Sequence, residues 1–296
     1  MSDLNVFHNP ETGKDIILNP RNTLMAEHRL NTVMRYAINH AFSLHVAKRQ
    51  ATMKDYPLVR RGFDCVPVIT QETASKLMHY LKTEYLDKQA LERTPDQQEF
   101  PLKDKKLFMG FLEEIFQGTV DDMILSYFQS EYTVLFCSMI VTYPVSEKDI
   151  TFKGISFKWH SDVAPDFHLK LLVHLNDAEE HKGGTRCIHR EQTKRFKEIG
   201  YVFNDLGNRL SDLTQLAKQF NIDYQEELLS PRTGEAIIFQ PSNVLHRGSW
   251  PQKGPRYIIN LGLVPSRIHW REMVEQDFEP IVNNTESIFP ELKVVI

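Results

Sequence analysis

The apolar and polar positions of this 296-residue chain change rhythm near residue 130. Ahead of that point, apolar residues recur at three- and four-residue steps. Leu30, Val33, Ala37, Ala41 and Leu44 keep this spacing within 21–50, as one buried face of a helix requires. A short β-like run over 62–69 (Phe63, Cys65, Val66, Val68) interrupts the pattern. Thr70 then stands where a helix-capping hydroxyl belongs, before a helix whose apolar stripe is Ala74, Leu77, Met78 and Leu81. Residues 87–106 are polar and charged and read as an exposed loop, and helical spacing returns over 107–128 with a break near Gly118.

Beyond residue 130 the chain turns β-like. Tyr132 to Tyr143 is rich in Val, Ile, Phe and Tyr and reads as the first core strand. Shorter runs follow at 154–159, at 169–175, at 185–188 after a Gly183-Gly184 turn, at 234–240 and at 256–263. The stretch 190–230 breaks the rhythm. A helix there can start at Ser211-Asp212 and run through Leu213, Leu216, Ala217 and Phe220. It reads as an insertion at the mouth of the β core, either carrying specificity or simply covering a sheet. With no repeats and no low-complexity segment, a single domain is expected: a mainly helical part over 1–130, a β core over 131–266 and an extension over 267–296.

Composition narrows the function classes. Hydrophobic content of 41% and charged content of 25% are those of an ordinary globular protein. A net charge of −4 argues against broad electrostatic binding to nucleic acid or to an anionic membrane. Cys65, Cys137 and Cys187 cannot make a disulfide framework and fit no zinc spacing. No run approaches 18 consecutive apolar residues, and the first residues have neither a basic nor an apolar stretch. Stable membrane insertion is therefore not expected, and a cytoplasmic location is.

The candidate chemistry sits in the β half. His160-Ser161-Asp162 is an H-x-D triplet, and residues two apart on an extended segment point to the same side, so both side chains can reach one ion. Alone the triplet says little, since a chain with 12 histidines yields one by chance on the order of once. Its weight comes from His246, which follows the run at 234–240, and from Arg256, ten residues later at the start of another run. Two histidines and a carboxylate can occupy one face of Fe(II) and leave the opposite face open. A guanidinium matches a carboxylate through paired hydrogen bonds and keeps its charge. Lys158, Lys170, Arg186, Arg190 and Arg247 are further basic residues nearby, with the facing of Lys170 left open. His168, His174, His181 and His189 offer no compact four-ligand set.

The stretch from about 132 to 265 resembles the Fe(II)/2-oxoglutarate-dependent dioxygenases, and most of all their phytanoyl-CoA-dioxygenase-like branch. The matching pieces are W-H-S-D at 159–162, G-G-T at 183–185, G-E-A-I-I-F at 234–239, and H-R-G-S-W at 246–250 followed by Arg256. The resemblance implies a double-stranded β-helix (a cupin-like jelly roll) flanked by N-terminal helices. It implies iron held by His160, Asp162 and His246, with 2-oxoglutarate and O2 as cosubstrates. Arg256 would bind the distal carboxylate of 2-oxoglutarate, and Ser249 would be a second contact. The implied activity is hydroxylation of a small molecule; desaturation, cyclisation, or a sugar, lipid-linked or peptide substrate would use the same ligands. A carboxylate at Asp162 points away from halogenation. The rival from another class is a metal-binding jelly roll, an isomerase or sensor, without oxygenase activity. Ile188-His189-Arg190-Glu191 departs from the P-G-S-H stretch usual in the family, and Ile258 departs from the serine found in some relatives.

Overall fold

A computed structural model describes residues 5–18, 54–88, 97–145, 155–162, 168–201, 208–266 and 268–283. The helix expected over 21–50 lies outside them. Eleven strands are described: β1 (Asn5–Asn9), β2 (Lys14–Leu18), β3 (Phe63–Pro67), β4 (Gln97–Phe100), β5 (Tyr132–Thr142), β6 (Leu169–His174), β7 (Thr185–Ile188), β8 (Glu226–Leu229), β9 (Glu235–Phe239), β10 (His246–Gly248) and β11 (Arg256–Pro265). The helices that matter here are α1 (Pro57–Arg61), α2 (Gln71–Leu81), α3 (Lys105–Ile115), α4 (Gly118–Phe128), α5 (Arg190–Glu198), α6 (Thr214–Gln219) and α7 (Trp270–Val282).

A six-stranded antiparallel sheet runs β3-β9-β6-β11-β5-β4, and a three-stranded antiparallel sheet runs β10-β7-β8. Isolated bridges at Trp159↔Leu210 and His160↔His246 attach the 159–160 segment beside β10. From β5 onward the chain alternates between the two layers. β5 lies in the large sheet, 159–160 beside the small one, and β6 in the large one. β7 and β8 are in the small sheet, β9 in the large, β10 in the small and β11 in the large. That alternation is a double-stranded β-helix, a jelly roll of two facing antiparallel layers.

The large sheet is two-faced because side chains alternate along each strand. Leu169, Leu171 and Val173 of β6, with Ile259, Leu261 and Leu263 of β11, point outward and are buried. They join one apolar cluster with Leu77 of α2, Phe108 and Leu112 of α3, Ile124 of α4 and Val274 of α7. The helices form for readable reasons. The Thr70 hydroxyl accepts from the Thr73 N–H at 3.2 Å and caps α2 as expected, and Asp104 caps α3 through the Leu107 N–H at 2.9 Å. Gly118, at φ +56, opens α4 after the short gap that follows α3, near the expected break.

Four segments differ from the sequence pattern. Gln97–Phe100, inside the expected loop, is an edge strand paired only with β5, a place that tolerates its polar residues. Of the run expected at 154–159, the described residues 155–159 are not a strand: a 3₁₀ turn at Ile155–Phe157 leads into the single bridges of Trp159 and His160. Within 190–230, α5 and α6 are joined by β8, which completes the small sheet. The N-terminal part also contributes a hairpin, β1–β2. Its Phe7, Ile16 and Leu18 share a second apolar cluster with Trp159, Phe196, Tyr201, Leu213 and Leu216.

Candidate metal centre

His160, Asp162 and His246 converge. One ligand atom from each lies within 4.8 Å of the others, and among the described residues this is the one group of three or more His, Cys, Asp or Glu able to hold a metal ion. The bridge between His160 and His246 brings the two histidines together: each backbone N–H donates to the other's carbonyl, at 3.1 and 3.0 Å. The Asp162 N–H donates to the Pro241 carbonyl at 2.9 Å and ties the end of the triplet to the turn after β9. The ring of Phe239 packs edge-on against His246 at 4.8 Å.

The imidazoles are oriented as a metal needs them. Nδ1 of His160 donates to the Lys158 carbonyl at 2.7 Å, and Nδ1 of His246 donates to the Val244 carbonyl at 2.9 Å. A carbonyl can only accept, so each proton sits on Nδ1 and each Nε2 keeps its lone pair. Both Nε2 atoms face the same carboxylate oxygen, Asp162 Oδ1, at 3.6 and 3.7 Å. Burial pushes the pKa of both histidines down, and for His160 the neighbouring His246 adds to it; both rings stay neutral and able to ligate. Burial alone would raise the Asp162 carboxyl. The charge of Lys170 and its hydrogen bond outweigh it and hold the group ionised, well below the usual carboxylate range.

The second Asp162 oxygen is taken. Lys170 Nζ donates to Oδ2 at 2.5 Å, so the carboxylate is divided between an ammonium and the histidine pair. Lys170 lies on the inner face of β6, opposite Gly262 and Phe239. The period-two rhythm of Leu169, Leu171 and Val173 carried that facing in the sequence, but adjacent Leu172 obscured it.

These side chains line a cavity of about 170 Å³ between the sheets, together with Gln97, Ile140, Ser156, Thr185, Arg209, Ile258, Asn260 and Arg256. Arg256 is 5% exposed. Its Nη1 donates to the Gly184 carbonyl at 3.3 Å and its Nη2 to Thr142 Oγ1 at 3.4 Å, both long, while Nε has no acceptor. Among the described residues no carboxylate pairs with it, and burial pushes its pKa down to about 10, which leaves it cationic near neutrality. His174 and His181 lie against the same end with rings 6.1 Å apart, and burial first, then Arg256, drives both toward the neutral form.

Ser249 does not line this cavity; its backbone N–H donates to the Gly184 carbonyl at 2.8 Å. Four of the five basic residues singled out earlier are engaged elsewhere. Lys158 pairs with Glu11 at 3.3 Å, Arg186 with Glu226 at 3.3 Å and Arg190 with Glu191 at 3.6 Å, while Arg247 lies over the Trp159 ring at 5.3 Å. Phe157 stacks on Trp250 at 3.6 Å, with the Arg256 guanidinium 5.6 Å from the Phe157 ring. Sequence reasoning missed Arg209, Asn260 and Gln97. Asn260 alone carried a signal, as an amide inside the apolar run of β11.

No protein-family profile matches the sequence, and no curated protein matches it. Solved structures do resemble the fold. The epimerase SnoN of nogalamycin biosynthesis, described as a non-heme alpha-ketoglutarate-dependent enzyme, is 10% identical with a TM-score of 0.43, covering 79% of this chain and 84% of that one. EctD from S. alaskensis in its apo form is 16% identical at 0.46, covering 73% and 80%. HygX from Streptomyces hygroscopicus, with nickel and 2-oxoglutarate bound, is 14% identical at 0.48, covering 74% and 89%. At such scores the likeness goes no further than shape, and the site's own geometry carries the functional reading.

Proposed function

We propose that the chain is an Fe(II)/2-oxoglutarate-dependent oxygenase that oxidises a C–H bond of a small molecule, hydroxylation being the outcome it favours. The observation that carries this reading is Arg256: a buried guanidinium with no counter-ion among the described residues, in the same cavity as an open set of two imidazoles and one carboxylate. Burying an unpaired cation costs several kcal/mol on the order-of-magnitude scale, so a fold that keeps one has a use for it. A jelly-roll isomerase or sensor needs the metal set but has no task for that arginine.

The donor set fits ferrous iron. Two neutral nitrogens and one carboxylate oxygen form a three-ligand face, and the tautomers are already fixed. His160, Asp162 and His246 would hold the ion, and Arg256, backed by Thr142, would hold the distal carboxylate of 2-oxoglutarate. A ferrous ion with that cosubstrate supplies O2-dependent oxidation coupled to decarboxylation of the diacid to succinate. The chain's own part is orientation and exclusion of water. His160 and His246 are locked by Lys158 and Val244, Phe239 shields the His246 ring, and Ile140, Leu172 and Ile258 give the cavity apolar walls. The W-H-S-D and H-R-G-S-W motifs support the phytanoyl-CoA-dioxygenase-like branch within this reading, without the contact expected from Ser249, which lies off the cavity.

The test is anaerobic addition of Fe(II) and 2-oxoglutarate, watched for the visible charge-transfer band of their chelate. The band is expected with wild-type protein and absent with His246→Ala. A folded wild-type protein that gives no band overturns the assignment.

A further inference from the structure

Lys170 breaks an apolar rule. It occupies an inner-face position on an interior strand of the large sheet, between Leu169 and Leu171, where an aliphatic side chain would pack without cost. Its side chain is 18% exposed, and it pairs with Asp162. Resting on the function proposed above, the charges of the working site can be counted. A ferrous ion and a 2-oxoglutarate dianion cancel. The cavity lining then holds Asp162 against Lys170, Arg209 and Arg256, and no other acid among the described residues lines it. The balance stays positive even with Arg209 set aside. Lys170 holds Oδ2 of Asp162 while the two histidines face Oδ1, so an ion seated at the histidine pair and the ammonium share a single carboxylate charge.

The surplus also has a place. Lys170 pairs across β11 with Gly262, whereas Arg256 starts that strand. Six residues of extended backbone separate the two rows, about 20 Å along the sheet. A diacid anchored by Arg256 therefore leaves the Lys170 end to another molecule. Between the two rows lies Asn260, whose Oδ1 is buried without a donor, beside Ser138, whose buried hydroxyl also lacks a partner. Buried polar atoms without a protein partner, beside a cavity whose lining is net positive, describe a polar ligand with a negative group.

We propose that the molecule oxidised here carries an oxyanion, a carboxylate or a phosphate, which Lys170 binds at the end of the cavity away from Arg256. Lys170 is then a specificity-determining residue: it selects anionic over neutral substrates.

The probes are inorganic phosphate, propanoate and neutral propan-1-ol, each titrated into the anaerobic Fe(II)–2-oxoglutarate complex. The readout is perturbation of the charge-transfer band as the cavity fills. One or both anions are expected to perturb the band saturably at millimolar concentration and propanol not to; the tighter anion identifies the group. Lys170→Met should weaken that response on the order of 30-fold, and Lys170→Arg should keep most of it. An intact wild-type band that ignores both anions overturns the proposal, as does one that responds equally to propanol. A response equal in wild type and Lys170→Met overturns the role of Lys170. A wild-type protein with no band at all strikes the oxygenase reading itself, which makes that failure distinguishable from this one.

Discussion

The two faces of the same strands answer different demands. On the outer face of β6 and β11, Leu169, Leu171, Val173, Ile259, Leu261 and Leu263 are buried against helices, with no polar atom to satisfy. On the inner face, a residue away, stand Lys170, His174, Arg256 and Asn260, several with polar atoms lacking partners. The outer face gains from burial at about 25 cal/mol per Å² of apolar surface. The inner face gives some of that up. Stability and chemistry are thus separated by the two-residue period of a β-strand, and a substitution's sign should depend on which face it meets.

The largest stability effect should fall on the outer face. Leu171→Ala removes a fully buried side chain from the main cluster and should cost about 2–5 kcal/mol. Chemical denaturation would read it as a lower midpoint at unchanged slope. The folded fraction should still give the Fe(II)–2-oxoglutarate band at wild-type affinity. A loss of ligand affinity as large as the loss of stability would mean that the two faces are not separable.

On the inner face the sign should reverse. Arg256→Met replaces a buried cation, unpaired among the described residues, with an apolar side chain of similar length, and should stabilise the ligand-free protein by about 1–4 kcal/mol. The same variant should bind 2-oxoglutarate far more weakly while still binding Fe(II), since Arg256 is none of the three metal-set residues. Thermal melting with and without the diacid checks both halves. A destabilised Arg256→Met would show that Gly184 and Thr142 already satisfy the guanidinium.

How much of this was legible beforehand follows from the same division. Outer-face residues announce themselves through apolar periodicity, so β5, β6, β9 and β11 and the capped helix α2 could be read directly. The convergence of His160, Asp162 and His246 was legible because their residue types are chemically restrictive and their spacings suit strand ends. What stayed hidden depended on partners distant in sequence. β4 is a polar edge that pairs only with β5, and β8 is a strand inside a stretch whose helices break the period. The 3₁₀ turn at 155–157 precedes single bridges to Leu210 and His246, pairings that no local pattern encodes. Lys170 was visible as a basic residue and period two carried its facing, but Leu172 blurred that rhythm until the register of β6 against β9 and β11 placed it.

The smallest effect is the most discriminating, because it touches neither a charge nor a metal-set residue. Asn260 sits opposite Leu172 on β6 and Ser138 on β5, facing the cavity, with Oδ1 buried and unpaired. An amide oxygen buried there without a protein donor carries a desolvation cost. Asn260→Leu should therefore stabilise the protein by about 1 kcal/mol, the desolvation no longer incurred. The Fe(II)–2-oxoglutarate band should be unchanged, because Asn260 belongs to neither the metal set nor the Arg256 end. The response to an added anion should weaken modestly if the amide helps to seat the molecule that Lys170 binds. A denaturation midpoint that falls instead of rising would mean that Asn260 earns its place within the fold, and would remove it from the substrate's surroundings.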